Sequence, residues 1–313
     1  MKTVIPDYFD QFKCIADKCR HTCCVGWEID VDESALKRYE PVSGPLGDKL
    51  RNNIVRDECP HFRLTPDERC PFLNEQNLCE LILNLGEDSL CQICADHPRF
   101  RNYFSDRAEM GLGLCCEAAA ALILGRREPM VLLTRSDDQP EEPLDSLEQA
   151  ILAVRNRTFA IIQDRKCPMT ERIESLLSEF EVCLPQKTDA EWADYFLSLE
   201  RLDHSWDEQL DKLKIGSAQS AELSDLEIPL EQLAVYFLYR HLPAAQDATD
   251  IRACLGFAVL SWRLIRRLCQ IQQQNGGCSL PELAEFARLY SSEIEYCEEN
   301  TDTLLNLLWD ENA

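Results

Sequence analysis

Apolar residues in the second half of this chain recur at the spacing of helix faces. Ile173, Leu176, Leu177 and Phe180 fall at i, i+3, i+4 and i+7. The same interval is kept by Trp192, Tyr195, Phe196 and Leu199, by Leu230, Leu233, Ala234 and Phe237, and by Leu283, Phe286, Ala287 and Tyr290. Each set makes one stripe on a 3.6-residue helix, so four amphipathic helices are predicted. A fifth, over 144–164, places Leu144, Leu147, Ile151 and Val154 on one face. Pro185, Gly216, Pro229, Pro243 and Gly276-Gly277 punctuate these helices. Met130–Thr134 is the one convincing strand-like run. No period of 20–50 residues indicates a solenoid. The expected fold class is mainly α.

The first third reads differently. Residues 1–128 hold short irregular runs, turns such as Pro41-Val-Ser-Gly-Pro45, and eleven of the seventeen cysteines. These occur as Cys14-x4-Cys19-x3-Cys23-Cys24, then Cys59, Cys70, Cys79, Cys91-x2-Cys94 and Cys115-Cys116. The expected organisation is a cysteine-rich loop-and-helix metal-binding region over 1–128 packed on a helical domain over 144–313, with a linker over 129–143 containing the acidic RSDDQPEEP.

Composition narrows the function. The net charge is -24, of which -6 falls on residues 1–128 and -18 on the remainder. Such a surface repels phosphate backbones, so neither nucleic acid nor an anionic membrane is an expected partner, whereas a lysine-bearing protein would be attracted. The start, MKTVIPDYFDQF, has two aspartates and no apolar run, and does not read as a secretory signal. No stretch approaches the roughly 18 apolar residues of a membrane span. The expected location is the cytoplasm, where thiols stay reduced, and an odd number of cysteines sits poorly with a simple disulfide framework.

Dense thiols in a reducing compartment point to metal. One tetrahedral zinc is often held by two short C-x2-C hooks, and only Cys91–Cys94 is such a hook. An iron–sulfur cluster accepts ligands from more dispersed loops and suits the spacing better, with zinc as the alternative. The later cysteines, 167, 183, 254, 269, 278 and 297, are scattered, and Cys254 and Cys269 fall within apolar helical patterns as small hydrophobes.

The segments YFDQFKCIADKCRHTCCVGWEIDVD (8–32), CPFL (70–73), LCELILNLGEDSLCQICADHPR (78–99) and LCCEAAAALIL (114–124) together resemble the flagellin lysine-N-methylase family. Part of the pattern, the doublet followed by C-x-F-L and C-x11-C, is also similar to cysteine-rich proteins thought to chelate zinc or iron. A weaker likeness continues into EQLAVYFLYRHLP (231–243). The resemblance implies S-adenosylmethionine-dependent methylation of flagellin lysines by a protein carrying a 4Fe-4S cluster. The family cysteines it matches are Cys14, Cys19, Cys23, Cys24, Cys70, Cys79, Cys91, Cys94 and Cys115. Cys59 has no clear counterpart, and Cys116 falls where a proline is expected. Nine thiols exceed the four of one cubane, so a second metal site, or structural or catalytic thiols, remain open.

The donor's site is not marked by an ordinary motif. There is no C-x3-C-x2-C triad, and the lone Gly111-Leu-Gly113 reads as packing rather than as a nucleotide loop. Arg99, directly after the Cys91–Cys94 hook, is the candidate partner for a cofactor carboxylate. Methylating an amine requires a neutral nitrogen, and Glu109, Glu117, Tyr103, Tyr236 and Tyr239 are the candidate groups to orient it. The rival reading is a non-enzymatic protein that stores or delivers iron or zinc. An electron carrier is a third.

Overall fold

The computed structural model describes residues 2–136, 142–216 and 221–313. The chain forms two compact units, one of Lys13–Arg99 and the other of Met1–Phe12 with Phe100–Ala313. The division differs from the expected one at both ends. The chain start and residues 100–128 belong with the helices, because each supplies part of a sheet and core completed by later residues. Of the expected linker, 137–141 lie outside the described residues, and part of the rest is a strand.

Strand β1 (Lys2–Pro6) opens the large unit. The small unit follows, with helices α1 (Glu33–Tyr39) and α2 (Gly44–Asn53), a two-stranded ribbon of β2 (Ile54–Val55) and β3 (His61–Phe62), and the short helices α3 (Glu80–Leu85) and α4 (Gln92–Asp96). Its core gathers Ile29, Val31, Tyr39, Leu50, Phe62, Phe72 and Leu81 with two cysteines, Cys70 and Cys91. Phe62 and Phe72 meet edge to face with centroids 4.8 Å apart.

In the large unit, β4 (Arg99–Phe104), β5 (Arg107–Leu112) and β6 (Leu132–Arg135) join β1 in a sheet of order β4-β5-β1-β6. β1 runs parallel to β5, with Val4 opposite Glu109, and antiparallel to β6, with Val4 opposite Thr134. The strand expected at 130–134 is therefore one of several. Asp106, in the turn between β4 and β5, fastens β1 to β5 by binding Lys2 at 2.8 Å and Arg107 at 2.7 Å.

Helices α5 (Glu117–Leu124), α6 (Ser146–Ile162), α7 (Met169–Glu179), α8 (Asp189–Leu197), α9 (His204–Ile215), α10 (Glu227–His241), α11 (Ala248–Gly276), α12 (Leu280–Tyr290) and α13 (Glu298–Asn312) complete the unit. The five expected helices correspond to α6, α7, α8, α10 and α12. Reciprocal capping boxes start three of them: Asp145 with Glu148, Thr188 with Glu191 and Ser279 with Glu282. Pro229 lies inside the first turn of α10, where a missing N–H costs nothing. The 29-residue α11 packs against α10, α12 and α13, with Trp262, Ile265 and Leu268 in the core. Among the described residues no helix is long and apolar enough to cross a membrane.

Two buried carboxylates lock this core through ion pairs. Glu231 is fully buried on α10 and receives Arg172 at 2.8 Å and Arg165 at 2.9 Å. Glu109 on β5 is paired with Arg155 of α6. Breaking such a pair strands the remaining charge, which costs about 3–5 kcal/mol.

Candidate functional site

The cysteine core is assembled by short backbone bridges rather than by regular elements. Cys70 N–H donates to Cys24 O at 2.7 Å, Gly26 N–H to Glu68 O at 3.0 Å, and Val25 pairs with Arg69. The Cys23-Cys24 segment thus runs alongside Cys70. Cys79 pairs with Leu73 and caps α3, while Cys91 caps α4, one turn before Cys94. Asp32 fixes the Cys91 hook: its carboxylate accepts from Ala35 N at 2.9 Å, starting α1, and from Gln92 N at 2.7 Å, starting α4. Tyr39 donates its hydroxyl to Ser89 O at 2.8 Å, which leaves the oxygen 3.5 Å from Cys91 Sγ.

The thiols in this core sense one another. Burial raises Cys70 to about 12, with the charges of Cys24, Cys79 and Cys91 adding to it. Cys79 is raised for the same reason. A hydrogen bond from Cys23 brings Cys24 down to about 7 against the effect of burial, with help from Thr22 and Arg69. Cys91 and Cys94 share a proton, which lowers Cys91 and raises Cys94.

Of the nine cysteines expected to ligate, Cys24, Cys70, Cys79, Cys91 and Cys94 thus share one core. Cys14 and Cys23 are exposed and Cys19 is half-buried at the surface. Cys115 belongs to the other unit. All seventeen cysteines are free thiols. Five thiols in one small core match the donor chemistry of an iron–sulfur or zinc centre. As placed, however, they do not converge: among the described residues no three His, Cys, Asp or Glu side chains are arranged to hold one metal ion. Arg99 donates to Ala95 O at 3.3 Å, and its charge, after burial, helps bring the neighbouring His97 down to about 4.

The candidate amine-handling groups have separate fates. Glu109 is committed to Arg155. Tyr239 pins the sheet by donating to Met110 O at 3.0 Å, and Tyr103 is 68 % exposed. Glu117 opens α5. Tyr236 enters a second charged network, and the key acid of that network carried no sequence signal. Glu295 ends a five-residue π-helical turn, Ser291–Glu295, a geometry frequent at functional sites. The turn directs its fully buried carboxylate at α10, where Tyr236 donates to it at 2.9 Å, Arg240 Nε lies 3.2 Å away and His241 Nε2 2.5 Å away. Burial opposes the charge on Glu295, but Arg240 and then His241 overcome it and hold the carboxyl below its usual range. Burial lowers His241, against the pull of Glu295, and raises Tyr236.

Next to Glu295, Tyr296 is 42 % exposed, yet Arg240 lies 4.7 Å over its ring and its hydroxyl hydrogen-bonds Cys115, a thiol that burial pushes up to about 12. Gly113 passes so close that a Cβ there would strike the Tyr296 hydroxyl, and one at Gly111 would strike the Phe100 ring. Both glycines of the G-x-G are packing glycines. The legible trace of this network was EQLAVYFLYRHLP, which contains Tyr236, Arg240 and His241.

A mainly helical chain with a separate thiol-rich unit and a buried acid–tyrosine–histidine network is the class these observations define. Residues 170–313 match the family model described as the FliB lysine N-methylase C-terminal domain. Over 138 residues the chain is 25% identical to lysine-N-methylases of Salmonella typhimurium strain LT2 and of Salmonella choleraesuis, covering 41% of this chain and 33% of each relative. It is also 26% identical over 134 residues to the flagellar biosynthetic protein FliU of Salmonella muenchen, covering 41% of this chain and 79% of that protein. The match therefore spans about a third of the length of the two lysine-N-methylases. No solved structure matches.

Proposed function

We propose that the protein transfers a methyl group from S-adenosylmethionine to the ε-amine of lysines on flagellin, or on another lysine-bearing protein, and that its cysteine core holds a 4Fe-4S cluster. The observation that carries this reading is the agreement of two separate likenesses. The ordered cysteine motifs over 8–124 resemble the same family whose C-terminal domain matches 170–313.

In this reading Cys24, Cys70, Cys79, Cys91 and Cys94 are the first-choice thiolates for the cluster, zinc being the alternative. When bound, the cluster would supply cross-links between loops that have little regular structure of their own. The transfer itself is a displacement. The lysine nitrogen lone pair forms the new N–CH3 bond, the S–CH3 bond breaks, and its electron pair stays on sulfur as S-adenosylhomocysteine leaves. The amine must first shed its proton. Tyr296 is the half-exposed member of the network, and we assign it the orientation of the incoming amine. Glu295, Arg240 and Tyr236 serve as positioning residues that fix its ring, and Arg240, then His241, keep Glu295 ionised.

The test uses full-length protein prepared without oxygen, methyl-labelled S-adenosylmethionine and flagellin. Labelled methyl-lysine is the expected product, and Tyr296→Phe is expected to reduce kcat more than KM. Absence of label from flagellin and from lysine-rich control proteins would overturn the reading in favour of a metal-binding protein without this activity.

A further inference from the structure

A cavity of about 430 Å³ opens in the large unit among α7, the segment before α8, α9 and α11. This lies within the size range of small-molecule sites. Four basic side chains line it (Lys187, Arg263, Arg266 and Arg267) against only two acids, Glu174 and Asp189. In a chain with 56 acidic and 32 basic residues that balance is inverted.

The two acids are already in use. Arg263 binds Glu174 at 2.7 Å and Arg267 binds Asp189 at 2.7 Å. Arg266 and Lys187 make no hydrogen bond or ion pair among the described residues. Each instead lies over a ring: Arg266 is 5.5 Å from the centroid of Trp262, and Lys187 is 5.9 Å from that of Trp192. Glu227 acts on Arg266 only at longer range, and its carboxylate accepts from Met169 N at 3.0 Å. Burial moves Arg266 below the ordinary arginine value, the direction expected of a guanidinium that has lost water without gaining an anion.

We propose that this cavity binds a flat-ringed anion, of the mononucleotide class, with the ring against Trp192 and the anionic group between Arg266 and Lys187. Two cations without a contact ion pair, with Glu227 and Glu191 acting on them only at longer range, would attract a phosphate, and a guanidinium suits its fork geometry better than an ammonium does. The same excess charge opposes S-adenosylmethionine, whose sulfonium and ammonium outweigh its single carboxylate. The site is therefore assigned to an effector or second ligand rather than to the methyl donor, and it stands whether or not the proposed methyl transfer is correct.

The test is calorimetric titration of the full-length protein with AMP, with S-adenosylmethionine, S-adenosylhomocysteine and inorganic phosphate as separate arms. AMP is expected to bind. Arg266→Gln is expected to weaken it about tenfold or more, the loss of one charge-assisted contact, and Arg266→Lys is expected to fall between. Trp192→Leu is expected to weaken AMP but not phosphate. Unchanged melting temperatures establish that the variants fold, and a variant that melts early is replaced by Lys187→Gln. The proposal is overturned by no AMP binding at millimolar concentration, or by AMP affinity unchanged from that of the unmutated protein in both Arg266→Gln and Lys187→Gln. It is equally overturned if phosphate binds as well as AMP, because the ring is then not read, or if S-adenosylmethionine binds and Arg266→Gln abolishes it, because the cavity is then the donor's. Loss of ligand only in Arg99→Ala would place the anion elsewhere.

Discussion

The two units differ in how much apolar packing each contains. The large unit has a continuous apolar core running from Tyr8 to Leu308, helices with reciprocal caps, and ion pairs buried deep enough to be decisive. The small unit has a core of eleven buried residues, two of them cysteines, and regular elements of at most ten residues. A core that small rarely holds a domain without a staple. On the proposed reading, a thiolate-held centre would do in the small unit what packing does in the large one. Cysteine itself changes meaning across the chain: buried Cys254 fills a helix face, whereas Cys70 and Cys91 stand among other thiols.

The sharpest way to break this comparison is to strip metal from anaerobically prepared protein with a chelator. Limited proteolysis is then expected to cut within 13–99 and to leave fragments of 100–313 intact, because structural metal can supply on the order of 10 kcal/mol of folding free energy. Equal resistance of both units before and after chelation would remove the distinction. Cys91→Ser is expected to act like the chelator, and Cys59→Ser is not.

In the large unit the corresponding lesion is ionic. Glu231→Ala leaves Arg172 buried without its partner and is expected to destabilise by about 3–5 kcal/mol in denaturant unfolding. A cost under 1 kcal/mol would show that water reaches Arg172.

Acid sharpens the comparison further. Burial, aided by Arg99, lowers His97 to about 4, whereas an unfolded histidine titrates near 6.5. Between those values the unfolded chain takes up a proton that the folded unit refuses. The contribution is intact above pH 6.5 and falls as pH drops toward 4, by up to about 3 kcal/mol. Small-unit protease sensitivity should rise across that window in the native protein and less steeply in His97→Phe. The smallest effect is Cys254→Ala, a packing change of about 1 kcal/mol with no loss of bound metal.

The helices were legible because their apolar periods are local: Ile173 and Leu176 signal a buried stripe without knowledge of what covers it. Strand β1 was not, since Lys2–Pro6 is too short to show a period and its partners lie at 107–109 and 132–135. The same pairing moved the boundary between units away from residue 128. For the cysteines, the family-like motifs pointed to nine thiols without showing that Cys24, Cys70, Cys79, Cys91 and Cys94 share a core. What separates Cys70 and Cys91 from Cys14 and Cys23 is burial set by the bridges at Cys24–Cys70 and Asp32–Gln92. Glu295 was invisible because its importance comes from a π turn that aims it at α10. Arg266 was invisible because a missing partner leaves no trace in a sequence.

The claim that sulfur around an inorganic centre holds residues 13–99 is tested most directly by metal and sulfide analysis of the folded full-length protein purified without oxygen. The account predicts a brown protein with about four irons and four acid-labile sulfides per chain, both lost in Cys91→Ser. A folded, colourless protein containing neither iron nor zinc would contradict it.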